Sequence, residues 1–205
     1  KIGLSVDEWG TWFTCEPGTN PGFLYQQNTV RDALVAGITL NIFNKHCDRV
    51  RMACLAQMVN VLQSVILTEG EKMIKTPTYH VFHMYRHHQG GKLLDSTLNG
   101  VQSVGTEEWS VPEITESVSK KDGIITITLN NLSATDDKEL DIQLTEKNDY
   151  EIVEANVVTN DDMHAHNTFE APETVKEMEF TAYKTNGNTV TVKLPKCSVV
   201  ELRIK

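Results

Sequence analysis

The chain has 205 residues, of which 40% are hydrophobic and 23% charged. That balance excludes a disordered tail, a collagen-like fibre and a coiled-coil rod, and no apolar run approaches the ~20 residues a membrane helix needs. The formal net charge of −9 argues against nucleic acid as a partner, because phosphate binding requires a basic face.

Charge and cysteine are unevenly placed. Residues 1–92 carry nine Lys/Arg against seven Asp/Glu, whereas residues 93–205 carry ten against twenty-one. Cys15, Cys47 and Cys54 fall in the first part and Cys197 in the second. Their spacing matches neither a zinc motif nor a disulfide framework, so they read as four buried or half-buried thiols. Such usage is compatible with a cytoplasmic, periplasmic or secreted setting.

Ile2, Leu4 and Val6 alternate with small or polar residues and then meet Asp7-Glu8-Trp9. This predicts a short strand ending in a polar-aromatic cluster, followed by a loop rich in Gly, Pro and Thr from Thr14 to Gly22. Thr29 with Asp32 has the spacing of a capping box and starts a helix from Val30 to about His46. Val30, Leu34, Ile38 and Ile42 form its apolar stripe. Val50 to Ala56 is nearly continuous in apolar residues apart from Arg51, which suits a parallel strand buried on both faces. Thr76-Pro77 begins a second helix that stops at Gly90-Gly91. Strand, helix, strand, helix is the βα repeat of a parallel sheet.

Beyond Gly91 the period becomes two. Ile125-Ile127-Leu129, Leu140-Ile142-Leu144, Met178-Phe180-Ala182, Val190-Val192-Leu194 and Val200-Leu202-Ile204 each alternate with polar neighbours, and Asn186-Gly187-Asn188 marks a turn. Short alternating strands between turn signals indicate an antiparallel sandwich. The acidic residues sit at outward positions and in turns, and read as a solvated face. Two βα units cannot cover the faces of their own sheet. A complete eight-unit barrel takes ~250 residues. The expectation is therefore a C-terminal portion of a larger protein: the last two β/α units of a (β/α)8 barrel in residues 1–92, followed by a jelly-roll-like antiparallel β-sandwich in residues 93–205. A complete small α/β domain is the alternative.

Barrel enzymes place catalytic groups at the C-terminal ends of strands. Asp7-Glu8 sits at such an end between aromatic residues, and an indole offers an apolar face to a sugar ring. By itself, an acidic pair before tryptophan is an ordinary strand end meeting solvent. Residue order adds to this. Asp7-Glu8-Trp9-Gly10-Thr11-Trp12, Asp32-Ala33-Leu34, Asn44-Lys45-His46-Cys47-Asp48-Arg49-Val50 and Ala53-Cys54-Leu55-Ala56-Gln57-Met58-Val59-Asn60-Val61 resemble, in order and spacing, the seventh and eighth barrel strands of α-L-arabinofuranosidases in glycoside hydrolase family fifty-one. The stretch from Leu194 to Ile204 resembles the last strands of that family's sandwich. Gly10 departs from the motif, which usually has Asn there.

The resemblance implies a retaining glycosidase acting on terminal arabinofuranosyl units of arabinose-containing oligosaccharides and polysaccharides. Glu8 matches the nucleophile, Gln57 a residue that hydrogen-bonds the bound sugar, and Trp12 an aromatic residue beside the sugar pocket. Asp7 reads as a structural neighbour. The acid/base belongs to the fourth strand of such a barrel, so the isolated chain is expected to be inactive. No cofactor or metal is implied, and a homo-oligomer is. Two further readings stand beside this one: a carbohydrate-binding or structural sandwich module, and a related barrel glycosidase acting on β-glucans.

His80, His83 and His87 share a helix face with His88 close by, yet no HExxH pattern accompanies them, so they read as packing or surface residues. His164 and His166 read as exposed. Cys15 has no adjacent base that would make it a nucleophile.

Overall fold

In the computed structural model, residues 1–145 and 149–205 are described. The first strand, β1, spans Leu4–Trp9 and lies parallel to β2, Val50–Leu55. Helix α1, Val30–Lys45, connects them. It starts where expected: the Asp32 carboxylate accepts the Thr29 backbone N–H at 2.7 Å, satisfying a donor left over at the helix start. After β2 comes a small hairpin, β3 (Ile66–Glu69) and β4 (Lys72–Lys75). Helix α2 follows, Pro77–Tyr85, with the Thr76 hydroxyl accepting from the Tyr79 N–H and a 3-10 turn at Arg86–His88.

The rest is β-structure. Strands β5 (Lys92–Leu93), β8 (Ile114–Lys121), β9 (Ile124–Asn131), β11 (Ile152–Thr159), β12 (Met178–Glu179) and β15 (Ser198–Ile204) form a six-stranded sheet, in the order β12-β11-β15-β9-β8-β5. Strands β10 (Lys138–Gln143), β13 (Tyr183–Asn186) and β14 (Thr189–Leu194) form a three-stranded sheet, ordered β10-β14-β13. A further hairpin joins β6 (Ser103–Gly105) to β7 (Ser110–Pro112). Every pairing in both larger sheets is antiparallel. Ile125, Ile127, Leu129, Val200, Leu202 and Ile204 from one sheet meet Val190, Val192 and Leu194 from the other in a single apolar core. This is the predicted sandwich. Among the described residues, no helix is long and apolar enough to cross a membrane.

Several expectations are corrected. The outward face of the six-stranded sheet is not solvated. Both helices pack on it, and Val30, Ala33, Leu34, Ala36, Val81, Met84 and Tyr85 share a second core with Val158 and Val199. Glu116 and Glu201 are consequently buried, and Glu113 is buried as well. Each carboxylate has a cation or imidazole partner: Lys45 at 2.6 Å from Glu116, His87 at 2.6 Å from Glu201, Lys138 at 3.0 Å from Glu113. Alternation hides this outcome, because Thr126, Thr128, Ser117 and Asn130 are polar residues that serve a polar helix–sheet seam.

The buried face of α1 is also rotated from the predicted stripe. Ala33, Gly37 and Asn41 lie inward with Val30 and Leu34, while Ile42 is exposed. Small residues win the inward positions because they let the helix sit close to the sheet. Strand β2 is half-exposed rather than buried on both faces, with Met52 55% exposed, because no layer among the described residues covers it. Cys47 and Cys54 are exposed for the same reason, Cys15 is half-buried and Cys197 buried, and all four thiols are free. His166 is half-buried, because its loop docks on the α1 N-terminus: Val30 N–H donates to the Ala165 carbonyl at 3.1 Å and Arg31 N–H to that of Met163 at 3.1 Å.

Candidate active site

The parallel pairing puts the C-terminal ends of β1 and β2 side by side. Val6 pairs with Ala53 and Trp9 with Leu55, so Asp7 and Glu8 together face a single residue, Cys54. Such a register slip bends a strand and re-aims its side chains, a device common beside active sites. Asp7 and Glu8 are both exposed at this bend. The Ala56 N–H donates to the Trp9 carbonyl at 2.9 Å and carries the pairing one residue further. Gln57 comes next, after a cis Ala56–Gln57 peptide, and is exposed on the same rim. Glu8 and Gln57 thus occupy neighbouring strand ends. Trp12 lies on the loop after β1 and is 66% exposed.

Two anchors hold the bend. The Trp9 ring packs edge-on to Phe43 at 5.5 Å and stacks on Phe82 at 6.0 Å, tying the strand end to both helices. Beyond it, the Thr11 hydroxyl donates to Asp32 Oδ1 at 2.6 Å, and its backbone N–H donates to Gln63 Oε1 at 2.9 Å. Asp32 therefore caps α1 and holds the loop after β1 with the same carboxylate. Gln26, Asn28, Gln63 and Thr78 extend this into a buried polar network. Gln26 Oε1 accepts from Phe13 N–H at 2.8 Å, and Thr78 Oγ1 donates to Asn28 Oδ1 at 3.0 Å. Buried amides are tolerated because each finds partners. Arg31 lies 3.7 Å over the Phe13 ring and braces the same loop.

Gly10 sits between the anchors with φ +138°, a conformation that favours glycine. The sequence identified Gly10 as a departure, but nothing in it pointed to the buried Gln63, which lies 53 residues away in the chain.

Several titratable groups between α2 and the β-structure have displaced protonation. Burial pushes the His88 ring down to about 4 and the Glu201 carboxyl up to about 8. Burial also lowers His80 and His87 to about 4, with neighbouring cations adding to it. These histidines fill the gap between α2 and the β-structure. His83 Nδ1 is 2.6 Å from Glu177, and His88 contacts the hydroxyls of Ser119 and Thr128 at 2.7 and 3.1 Å. Among the described residues, no group of three or more His, Cys, Asp or Glu is arranged to hold a metal ion. Five clefts, one of about 620 Å³ beside Trp109 and Asp136, are lined by residues other than Glu8, Gln57 and Trp12.

Residues 7–198 match the family described as "Alpha-L-arabinofuranosidase C-terminal domain". The chain is 43% identical over 206 residues to an intracellular exo-α-L-arabinofuranosidase of Bacteroides ovatus, covering all of this chain and 40% of that protein. It superposes on the family-fifty-one arabinofuranosidase of Xanthomonas axonopodis pv. citri with a TM-score of 0.94 at 43% identity, covering 100% of this chain and 41% of that one. A Bifidobacterium longum family-fifty-one α-L-arabinofuranosidase gives 0.86 at 28% identity, covering 99% and 42%. The chain thus spans about two fifths of the length of these relatives.

Proposed function

The chain belongs to the α-L-arabinofuranosidase C-terminal domain family, a family of glycoside hydrolases, and from that premise we propose that it is the C-terminal portion of a retaining, exo-acting α-L-arabinofuranosidase with Glu8 as nucleophile. Residues 1–92 are the last two β/α units of a (β/α)8 barrel, and residues 93–205 are the sandwich that supports them. The observation that carries this reading is the placement of Glu8 and Gln57 at adjacent C-terminal ends of a parallel strand pair, with the register slip falling on Asp7-Glu8. Ile2 is 86% exposed, and Leu4 and Met52 are also exposed along the same pair. The remaining units of the barrel cover them, as a parallel sheet requires.

In the reaction, the Glu8 carboxylate attacks the anomeric carbon of a terminal arabinofuranosyl unit as the glycosidic C–O bond breaks. A second carboxyl about 5–5.5 Å away protonates the departing oxygen, then takes a proton from the water that hydrolyses the glycosyl-enzyme. That acid/base lies on an earlier strand, outside residues 1–205. Gln57 can donate to and accept from sugar hydroxyls, and Trp12 offers a ring face to the substrate. The B. ovatus relative is named an intracellular enzyme. Four free thiols, two of them exposed, fit that setting. Exposed strand edges support homo-oligomer formation.

The test is Glu8→Gln in the full-length enzyme. Turnover of arabinose-containing oligosaccharides falls by on the order of 10⁴-fold or more with unchanged folding. A variant retaining near-normal rates would remove the nucleophile assignment.

A further inference from the structure

We propose that Gln63 is a positioning residue for Glu8, and that it does so by occupying the space that a side chain at position 10 would need. This rests on Glu8 being the nucleophile. Among the described residues, no side chain hydrogen-bonds the Glu8 carboxylate, so the backbone on either side of it sets where it points. On the helix side, Trp9 is fixed between Phe43 and Phe82. The other fixed point is Thr11, and its main chain is held by two buried amides. Gln26 Nε2 donates to the Thr11 carbonyl at 3.3 Å, and Gln63 Oε1 accepts the Thr11 N–H at 2.9 Å.

Gln63 is fully buried, and both of its N–H donors are used. One donates to the Asp32 carbonyl at 3.1 Å in α1, the other to Thr78 Oγ1 at 3.3 Å in the first turn of α2. A single amide thus links the strand end to both helices. A Cβ placed on Gly10 would lie 2.7 Å from Gln63 Oε1 and 3.5 Å from the Ala56 carbonyl. The Gln63 amide fills the space beside position 10, and glycine there is what lets it in. Positions 10 and 63 act as one unit, held from the far side of the strand end.

The test uses the full-length enzyme and an aryl α-L-arabinofuranoside whose phenolate leaves without a proton. The pre-steady-state burst of phenolate then reports bond formation at Glu8. Gln63→Ala and the volume-conserving Gln63→Met each lower the burst rate constant by about 10–100-fold, because a misplacement of ~1 Å costs that much. Where deglycosylation still limits turnover, burst amplitude per folded molecule is kept, kcat holds, and KM rises in proportion to the lost rate of bond formation. Gly10→Ala lowers the rate in the parent background, and its effect shrinks when combined with Gln63→Ala, since the atom it strikes is gone. A Gln63→Met enzyme with an unchanged burst rate overturns the proposal, as does a loss confined to burst amplitude, which a merely structural role would give. A burst that survives Glu8→Gln would instead sink the nucleophile assignment and this proposal with it.

Discussion

Replacing Gly37 by alanine sets two effects of opposite sign against each other. In an exposed helix interior this change stabilises by ~1 kcal/mol, because alanine loses less backbone freedom. Gly37 is in the middle of α1, where propensity alone predicts a gain. At this point, however, the helix touches the sheet. A Cβ at 37 would overlap Asn130 Oδ1 and lie 2.9 Å from its Cγ and 3.1 Å from its Nδ2. Asn130 is fully buried, and its Nδ2 donates to Thr115 Oγ1 at 3.0 Å and Tyr85 Oη at 3.3 Å. It has nowhere to move without losing those bonds, each contributing ~1 kcal/mol. The Tyr85 hydroxyl also donates to the Gly37 carbonyl at 3.0 Å, so lifting the helix loosens a third contact. Overpacking of this kind costs about 1–3 kcal/mol before lost hydrogen bonds are counted. The clash therefore wins, and Gly37→Ala destabilises by about 1–3 kcal/mol. Urea unfolding followed by tryptophan fluorescence measures it, since Trp9 packs on α1 through Phe43. Adding Asn130→Ala removes the obstacle, and the double variant loses less than the sum of the singles by about 1 kcal/mol or more. A Gly37→Ala protein more stable than the parent would refute the close helix–sheet approach.

Stability falls on the acid side. Burial holds His88 at about 4 against an ordinary 6.5, so the unfolded chain gains a proton there as pH drops through 6.5 while the folded one does not until about 4. The loss across that window reaches about 3 kcal/mol for His88 alone, and His88→Gln flattens the profile in pH-dependent denaturation. Glu201 contributes the opposite slope: its folded carboxyl stays protonated to about 8 while the unfolded one ionises near 4.5, so stability also declines as pH rises between those values. Asp32→Ala removes the acceptor for both Thr29 N–H and the Thr11 hydroxyl and costs about 2–3 kcal/mol in thermal unfolding. Purified residues 1–205 on their own release no arabinose and self-associate in light scattering; a monodisperse, Glu8-dependent hydrolase would contradict this.

What the sequence made legible follows from periodicity and local chemistry. The capping box, the Thr76-Pro77 start and the alternation at Ile125, Val190 and Val200 are local patterns, and the structure places elements there. Strands β8 and β11 escaped because Glu116, Ser117, Ser119, Glu154 and Asn156 break their apolar alternation. Those polar side chains are explained only by distant partners: Ser117 by Asn41 and Thr128, Ser119 by His88, Asn156 by Glu201. The helix-covered sheet face was missed for the same reason, since a buried Glu201 and a solvated one look alike until His87 is placed beside it. The order of residues singles out Glu8, Trp12 and Gln57 as candidates. Gln63 is not singled out, because its contact comes from folding back 52 residues onto Thr11.

Attack of Glu8 on the sugar leaves a glycosyl-enzyme that can be trapped. The full-length enzyme is treated with an arabinofuranosyl donor that has a good leaving group and slow deglycosylation, then digested and mapped by mass. One pentosyl adduct is expected on the peptide holding Asp7-Glu8-Trp9, borne by Glu8 and abolished by Glu8→Gln. An adduct on any other carboxylate, Asp7 included, would contradict it.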